Sequence, residues 1–232
     1  MNYADLDIIE VGGLWFHVRN NADKRVCAEI VKRGCYEKPA LGFGVRSGET
    51  WLDIGANIGV FAVYAEKLKG AKVCAFEPVV GNAQLARDNF ALNRCKSALD
   101  MRFVSAAGCS SKARVFVNET TPARCSAFSG KGIPLTVNTV SIDEIIRQYR
   151  PDGLKIDIEG SEFDILDRRF PIDGIRAIAL EYHFRYNRSC ITARRRLAWL
   201  VEAFEHNSIQ SAMFNEPVWR GWQDMVCFFW ND

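Results

Sequence analysis

Residues 51–59 read Trp51-Leu52-Asp53-Ile54-Gly55-Ala56-Asn57-Ile58-Gly59, and this stretch decides the fold. Its apolar first half predicts a buried strand, and its second half predicts a turn that enters a helix near Ile58. Gly55 and Gly59 let the backbone bend sharply and let a ligand reach amide groups without meeting a Cβ atom. Because a helix N-terminus carries the positive end of a dipole, the stretch indicates the binding turn of a nucleotide cofactor.

A second predicted strand, Lys72 to Phe76, ends in Glu77-Pro78. An acidic side chain about twenty residues after such a turn can accept both hydroxyl groups of a ribose. Glu77, with Pro78 beside it, therefore indicates an adenosine-containing cofactor. A turn whose glycines serve packing alone is the simpler alternative, and the joint spacing of Asp53, the glycines and Glu77 argues against it.

The spacing of the glycines distinguishes between cofactors. The dinucleotide fingerprint GxGxxG has a third glycine for close packing of helix on strand, and Gly55-Ala56-Asn57-Ile58-Gly59 lacks it. Asp53 precedes the turn, where its carboxylate would repel a pyrophosphate but could hold an ammonium group. S-adenosylmethionine carries an amino group and a sulfonium, so it is the cofactor that these residues favour.

Predicted strands and helices alternate after residue 50. This order is typical of a doubly wound, parallel α/β sheet, which binds ligands at the carboxyl ends of its strands. Met101 to Ser105 is expected to be the third strand, and Ala106 begins a run of small residues where a flat adenine could lie. The predicted cofactor site therefore comprises Asp53, Gly55, Ala56, Asn57, Gly59, Glu77, Pro78 and Ala106.

The composition limits the class of protein. The 232 residues, with 48% apolar and 25% charged side chains, are enough for one filled domain. A net charge of +2 gives no strong field for nucleic acid or an anionic membrane, and no targeting segment or long apolar run is present in the sequence. The eight cysteines form no CxxC pair, so we expect buried thiols in a reducing compartment and a cytoplasmic protein.

A second group of polar residues follows in the run from Asp152 to Gly160, which is predicted to be a strand that enters a helix. The alternation of a strand places Lys155, Asp157 and Glu159 on one face. A central parallel strand is covered on both sides, so charges there are costly unless they pair or meet a ligand.

The neighbouring predicted strand, Ala177 to His183, ends with Glu181 and His183 on one face. Since the carboxyl ends of parallel strands meet at one edge of the sheet, both strand ends should open into the same crevice as Gly55 and Glu77. The predicted catalytic residues are accordingly Lys155, Asp157, Glu159, Glu181 and His183.

These motifs together resemble the FkbM-type methyltransferases. The resemblance spans roughly residues 36 to 183 and is carried by Asp53-Ile54-Gly55-Ala56-Asn57-Ile58-Gly59, Glu77-Pro78, Lys155-Ile156-Asp157-Ile158-Glu159-Gly160-Ser161-Glu162 and Glu181-Tyr182-His183. It implies a Rossmann-like class I methyltransferase fold, with a seven-stranded, mostly parallel sheet and helices on both faces. It also implies an O-methyltransferase that acts on hydroxyl groups of sugars and secondary metabolites.

The chain is expected to form one domain with two parts, and residues 1–50 contain none of the motifs that carry the family resemblance. Residues 1–50 are predicted to form a cap with a hairpin at Gly12-Gly13 and a helix from Asp23 to Gly34, and residues 51–232 the S-adenosylmethionine-dependent methyltransferase domain. Ser208 to Phe214 and Asp224 to Trp230 would form a C-terminal antiparallel hairpin. The polar segment from Asn118 to Gly132 would meet the acceptor, or would be a surface loop without function.

Two routes to methyl transfer fit the residues. The acceptor hydroxyl must be aligned and must lose its proton as the new bond forms. In the first route, which the sequence favours, His183 or Asp157 takes the proton while Lys155, Glu159 and Glu162 fix the geometry. In the second, a divalent cation, Mg²⁺ or Mn²⁺, lowers the pKa of the hydroxyl; its predicted ligands are Asp157, Glu181 and His183.

Two other classes of function remain as alternatives. A nucleic-acid-modifying or nucleic-acid-binding module would need a basic, aromatic-lined face, which the near-neutral charge argues against. A scaffold that binds the cofactor without catalysis would not need charged residues at two strand ends. The expected partner is thus a small molecule or a glycan, with neither nucleic acid nor membrane involved.

Overall fold

The fold was obtained as a computed structural model, which describes residues 6–105, 112–117, 125–126, 133–166, 170–171, 173–183, 195, 198, 201–202, 210–215 and 225–231. The chain begins with a hairpin of β1 (Asp7–Val11) and β2 (Leu14–Val18). Helix α1 (Asn21–Cys27) follows and continues as a π-helical turn over Ala28–Lys32, and a 3₁₀ turn covers Pro39–Leu41.

The remaining elements alternate between strand and helix. In chain order they are β3 (Thr50–Ile54), α2 (Val60–Lys69), β4 (Lys72–Phe76), α3 (Val80–Leu92), β5 (Ala98–Asp100), β6 (Phe103–Ser105), β7 (Lys112–Val117), β8 (Cys125–Ser126), β9 (Ile133–Ser141), α4 (Ile142–Tyr149), β10 (Gly153–Ile156), α5 (Glu162–Ile165), β11 (Ala177–Tyr182), β12 (Gln210–Asn215) and β13 (Met225–Trp230). The order confirms the predicted α/β class.

The main sheet has seven strands in the order β12-β13-β11-β10-β3-β4-β5. The five strands from β11 to β5 are parallel, whereas β13 is antiparallel to both β11 and β12. Strands β3 and β10 are adjacent at the centre, so the glycine turn after β3 and the polar residues after β10 lie at the same sheet edge. This is where open parallel sheets bind ligands.

The predicted third strand exists over Phe103–Ser105, but its assignment to the main sheet is wrong. Ala98–Asp100 pairs with β4, whereas Phe103–Ser105 pairs in parallel with β9 in a second sheet of order β6-β9-β7-β8. The chain leaves the main sheet because the Asp100 carboxylate accepts a hydrogen bond from the Arg102 amide at 2.8 Å, a local turn that ends the strand. The apolar residues after the turn are buried in the other sheet.

Each face of the main sheet is covered by helices. Along β3, Trp51 packs in one core cluster with Phe61 of α2 and Phe90 of α3. Leu52 packs in the other cluster, with Ile145 of α4. Because both faces are buried, the central strands carry apolar side chains in both directions, and burial of this surface is the main source of stability.

The N-terminal hairpin packs against the first of these clusters. Gly12 and Gly13 both have positive φ, as the tight turn between two strands requires. Phe16 and Val18 are completely buried, and the side chain of Asn89 accepts a hydrogen bond from the His17 amide at 2.7 Å. The hairpin thus lies on α3, close to the glycine turn.

Several predictions fall on other parts of the chain. Ala106 lies outside the described residues, as does the segment from Asn118 to Gly132 except for β8. Between residues 184 and 209 the structure describes four residues, all helical: Arg195, Ala198, Val201 and Glu202. No helix in the part of the chain that the structure describes has the length and apolarity needed to cross a bilayer.

Candidate active site

The glycine turn lies against the ends of two neighbouring strands. The amides of Gly55 and Ala56 both donate to the carbonyl of Phe76, each at 3.0 Å, which fixes the turn to the end of β4. Gly55 has a φ of +85°, and a Cβ atom built there would stand 1.8 Å from the carbonyl oxygen of Asp157. Position 55 therefore requires glycine, because the turn packs directly on the residue that follows β10.

Gly59 is required for a different reason. It precedes α2 with a φ of +80°, and a Cβ atom there would stand 2.6 Å from Cε1 of Phe90 on α3. Close packing of two helices therefore accounts for this glycine. Asn57, between the two glycines, also has a positive φ, of 51°.

Glu77 lies beside the turn. Its Oε2 accepts a hydrogen bond from the Asn57 amide, and its Oε1 accepts one from the Val79 amide, both at 2.9 Å. Burial raises the pKa of Glu77 to about 7, although these hydrogen bonds oppose the shift. A carboxylate held against a cofactor turn in this way can accept the hydroxyl groups of a ribose. Pro78 follows it directly.

Asp53 is completely buried, and its ion-pair partner comes from the protein itself. The Lys155 ammonium lies 3.1 Å from the Asp53 carboxylate and donates to the carbonyl of Gly55 at 2.7 Å. Burial alone would lower the pKa of Lys155, but the Asp53 and Asp157 carboxylates raise it above its usual value. The sequence predicts that Asp53 holds an ammonium group of the ligand, whereas the ammonium beside it in the structure belongs to Lys155.

Acidic side chains at the ends of β10 and β11 surround one histidine. We call this group the carboxylate cluster: Asp157, Glu159, Glu162, Glu181 and His183. Their side chains converge, since Nε2 of His183 lies 3.2 Å from Glu181, 3.8 Å from Asp157 and 3.8 Å from Glu159. The glycine turn lies directly beside the end of β10, because a Cβ atom built at Gly55 would stand 1.8 Å from the Asp157 carbonyl oxygen.

The position of Glu159 was derived from a wrong strand boundary. Strand β10 ends at Ile156, so simple alternation does not continue to Glu159, which lies in a turn with a φ of +51°. The turn nevertheless directs the Glu159 carboxylate back to His183. Convergence here depends on the turn geometry, which strand periodicity cannot predict.

His183 is fixed on both sides by carboxylates. Its Nδ1 lies 2.8 Å from Oε1 of Glu162, and the Glu162 carboxylate also accepts hydrogen bonds from the amides of Ile158 and Gly160. Burial would lower the pKa of His183, but Glu162 and Glu181 raise it well above its usual value. An imidazole between two carboxylates is a donor at both nitrogens, so it orients its neighbours more readily than it takes a proton.

Tyr36 reaches the cluster from the N-terminal part of the chain, and the sequence analysis missed it. Its hydroxyl lies 3.2 Å from Oδ2 of Asp157 and 3.3 Å from Oε2 of Glu181. Tyr36 stands in an irregular segment, where no periodicity marks a single aromatic residue as functional. The nearest available signal was its position at the start of the family resemblance.

Part of the cluster could hold a metal ion. Asp157, Glu159 and His183 each offer a ligand atom, and these atoms lie within 4.8 Å of one another. Glu181, which the sequence analysis named in place of Glu159, is closer to His183 than either carboxylate of that set. Carboxylate oxygens with one imidazole suit Mg²⁺ or Mn²⁺.

Comparison with known proteins gives a family for this chain. A family profile described as "Methyltransferase FkbM domain" matches residues 53–210, about two thirds of the chain. The match begins at Asp53 and includes the glycine turn, Glu77 and the whole carboxylate cluster. A search of curated proteins gave no significant match.

Solved structures identify the fold. An S-adenosylmethionine-dependent methyltransferase from Agrobacterium tumefaciens matches with a TM-score of 0.54 and 14% identity, over 97% of this chain and 70% of that one. The Pyrococcus abyssi tRNA (uracil-54, C5)-methyltransferase in complex with S-adenosyl-L-homocysteine matches with a TM-score of 0.53 and 10% identity, over 97% of this chain and 44% of that one. Pyrococcus horikoshii TYW2 in complex with MeSAdo matches with a TM-score of 0.52 and 11% identity, over 97% of this chain and 70% of that one. The fold is that of S-adenosylmethionine-dependent methyltransferases.

Proposed function

Because this chain belongs to the FkbM-domain methyltransferase family, we propose that it transfers a methyl group from S-adenosylmethionine to a hydroxyl group of a sugar, a glycan or a related secondary metabolite. The observation that carries the proposal is the position of Lys155. This side chain donates to the carbonyl of Gly55 in the cofactor turn and lies 3.6 Å from the Asp157 carboxylate. One residue therefore joins the cofactor turn to a group that can accept a proton.

The residues of the turn fit the proposed cofactor. S-adenosylmethionine would supply the electrophilic methyl group. Glu77 would accept the ribose hydroxyls, and the backbone between Gly55 and Gly59 would lie along the nucleoside, where a Cβ atom at position 55 is excluded. The remaining proposed contacts are Asp53, Ala56, Asn57, Pro78 and Ala106. Asp53 would act through Lys155, since its carboxylate is buried against that ammonium.

In the first route, Asp157 takes the proton of the acceptor hydroxyl. The Asp157 side chain is 26% exposed, whereas those of Glu162 and His183 are 0% and 1% exposed, so an acceptor reaches Asp157 more easily. His183, with carboxylates at both nitrogens, orients Asp157 and Glu181. Lys155 and Glu159 complete the surroundings of the base. Proton removal by a positioned carboxylate accelerates such reactions by roughly 10²- to 10⁴-fold.

In the second route, Asp157, Glu181 and His183, with Glu159 nearby, would hold a divalent cation. The observation that favours it is the bond between Glu162 and Nδ1 of His183, because a carboxylate at one nitrogen commonly orients a histidine that binds metal through the other. Mg²⁺ or Mn²⁺ would supply positive charge that lowers the pKa of the hydroxyl. Sensitivity to a chelator distinguishes this route from the first.

The carboxylate cluster also supports an uncharged acceptor. Several carboxylates beside the proposed methyl donor would repel the phosphates of a nucleic acid. One of the matching structures is that of a tRNA methyltransferase, but at 10% identity the likeness extends to the fold alone. A steep loss of RNA retention between low and moderate salt would instead support a nucleic-acid substrate.

The described thiols support a proposal for the compartment. Cys27, Cys74, Cys95 and Cys227 are free thiols, and two of them are completely buried. Buried thiols that form no disulfide, as in the part of the chain that the structure describes, are typical of proteins in a reducing compartment, which supports a cytoplasmic location.

Labelled methyl transfer tests the proposed function. The purified chain is incubated with labelled S-adenosylmethionine and a panel of glycans and hydroxylated metabolites, with and without chelator. Asp157→Asn should reduce transfer by about 100-fold or more while affinity for S-adenosylhomocysteine is retained. Asp143→Asn, which changes a carboxylate on α4 paired with Arg147, is the matched control and should transfer normally.

Three results would contradict the proposal. Undetectable affinity for both S-adenosylmethionine and S-adenosylhomocysteine would exclude the cofactor. Full activity of Asp157→Asn, with or without chelator, would exclude Asp157 as base and as metal ligand. Cofactor binding without transfer to any hydroxylated acceptor would favour the scaffold.

A further inference from the structure

We infer that Tyr36 is a positioning residue, which fixes Asp157 and Glu181 in the geometry needed for methyl transfer. The inference rests on the proposed function. Tyr36 lies before the residues that match the family profile, and it enters the cluster from the segment between α1 and β3. The N-terminal part of the chain would thus contribute directly to the active site.

The geometry is a closed ring of four side chains. Asp157 directs Oδ2 to the Tyr36 hydroxyl, at 3.2 Å, and Oδ1 to Nε2 of His183, at 3.8 Å. Glu181 directs Oε2 to the Tyr36 hydroxyl, at 3.3 Å, and Oε1 to Nε2 of His183, at 3.2 Å. Glu181 is therefore held at one oxygen by the phenol and at the other by the imidazole. Asp157 is held by the hydrogen bond of the phenol, whereas the imidazole, 3.8 Å away, attracts its other oxygen without a hydrogen bond. The Tyr36 hydroxyl is thus the group that both carboxylates share as a hydrogen-bond donor.

The chemistry of a phenol makes its role specific. A tyrosine hydroxyl has one proton, which it shares between the two carboxylate oxygens. Without it, the Lys155 ammonium would still lie 3.6 Å from Oδ2 of Asp157, but no hydroxyl would bridge the two carboxylates, and their repulsion would favour separation. Tyr36 therefore sets the distance between Asp157 and Glu181, in addition to filling space.

The tyrosine ring is itself held rigidly. It is 5% exposed, its centroid lies 5.7 Å from that of Phe61 in an edge-to-face contact, and the Lys155 ammonium lies 5.6 Å from its centroid. A phenylalanine at this position can keep the packing against Phe61 and Lys155. The substitution Tyr36→Phe therefore removes the hydroxyl selectively, and it is a sharper test than a change to alanine.

Tyr64→Phe is the matched control. Tyr64 is also buried, and its hydroxyl also interacts with a carboxylate and a lysine, those of Glu37 and Lys69, away from the cluster. Both substitutions remove one buried hydroxyl group that interacts with charged side chains, and both keep the aromatic ring. A loss that reflects stability alone should appear in both variants.

The test measures kinetics, binding and melting for both variants and the wild type. Tyr36→Phe should lower kcat by about 10- to 100-fold and change the affinity for S-adenosylhomocysteine by less than about twofold, because misplaced catalytic groups affect the reaction step. Tyr64→Phe should retain kcat. Equal kcat in wild type and Tyr36→Phe would overturn the inference, as would equal losses in both variants.

A crystal structure of Tyr36→Phe separates this inference from the proposed function. If the wild type binds S-adenosylhomocysteine but methylates no acceptor, the proposed function fails and there is no reaction rate to compare between the variants. The structure should then still show Asp157 and Glu181 displaced from each other and from His183. Carboxylates that keep their wild-type positions in that structure would refute the positioning role.

Discussion

Asn82 and Asn89 lie seven residues apart on one buried face of α3, and each connects the N-terminal segment to the cofactor turn. Asn82 accepts a hydrogen bond from the Arg19 guanidinium at 2.7 Å and donates to Glu77 at 3.4 Å. The two asparagines are 1% and 0% exposed. Residues seven apart share a helix face, so α3 presents both amides to the same neighbours. The first fifty residues are thereby coupled to the proposed cofactor site.

The first prediction concerns Asn89, whose amide donates to the Ile58 carbonyl at 2.9 Å and accepts from the His17 amide at 2.7 Å. Asn89→Leu leaves these buried groups unsatisfied and should cost about 3 kcal/mol of stability. Asn93→Leu is the control, since Asn93 binds the Trp15 backbone in a more exposed place and water can replace it. Chemical denaturation measures both, and equal losses would contradict the argument.

The second prediction is a pH dependence of cofactor affinity. Burial raises the pKa of Glu77 to about 7, and the ionised form is the better acceptor for ribose hydroxyls. Affinity for S-adenosylhomocysteine should therefore be about tenfold weaker at pH 6 than at pH 8. Calorimetry across this range measures it, and Glu77→Gln should bind weakly at both pH values. A pH dependence that persists in Glu77→Gln would assign it to another group.

The raised pKa of Glu77 has the opposite effect on the stability of the protein without cofactor, which should fall as the pH rises. Between the ordinary value of 4.5 and about 7, the folded protein holds the Glu77 proton more tightly than the unfolded chain does. The contribution of Glu77 to stability is therefore present below pH 4.5 and is lost as the pH rises through this window. Opposite trends in binding and in stability would identify Glu77 as their common source.

Local motifs allowed much of the site to be predicted from the sequence. The glycine turn, Glu77 and the residues after β10 depend on short spacings, and the hydrogen bond between Asn57 and Glu77 follows from the adjacency of β3 and β4. Apolar periodicity, in contrast, indicates that a strand is buried but does not identify its partner. Phe103 to Ser105 was for that reason assigned to the wrong sheet.

Contacts between distant polar residues could not be predicted. Tyr36 and Asp157 are 121 residues apart, and Asn89 and His17 are 72 apart, so no local spacing connects them. A buried asparagine on a helix has the same sequence signature as one exposed to solvent. Asp53 shows the same limit, because its charge indicated an ionic partner but its residue type could not specify Lys155.

The third prediction concerns the two reasons for glycine at position 55. Gly55 and Gly48 both have a φ of +85°, but no described atom lies within 4 Å of a Cβ atom built at Gly48, whereas the Asp157 carbonyl oxygen is at 1.8 Å for Gly55. Gly48→Ala should cost about 1–2 kcal/mol from backbone strain. Gly55→Ala should cost several kcal/mol more and abolish cofactor binding, because β3 and β10 must separate. Denaturation and calorimetry measure both; similar costs would show that the contact with Asp157 is unimportant.

The fourth prediction concerns the pair of Asp53 and Lys155, whose side chains are 0% and 4% exposed. Lys155→Met leaves a buried carboxylate without its partner and should cost about 3–5 kcal/mol. Lys24→Met breaks the pair with Asp7, in which the two side chains are 39% and 64% exposed, and should cost no more than about 1 kcal/mol because water screens the charges.

The double variant Asp53→Asn with Lys155→Met shows whether the cost of Lys155→Met comes from losing the ion pair or from leaving the buried Asp53 carboxylate unpaired. If the cost of Lys155→Met comes from the unpaired Asp53 carboxylate, removing that charge should restore more than about 1 kcal/mol of stability. Cofactor affinity should be lower than in the wild type in both the single variant Lys155→Met and the double variant, since each lacks the hydrogen bond from Lys155 to the Gly55 carbonyl. Additive losses in denaturation would instead mean that the two residues stabilise the fold independently.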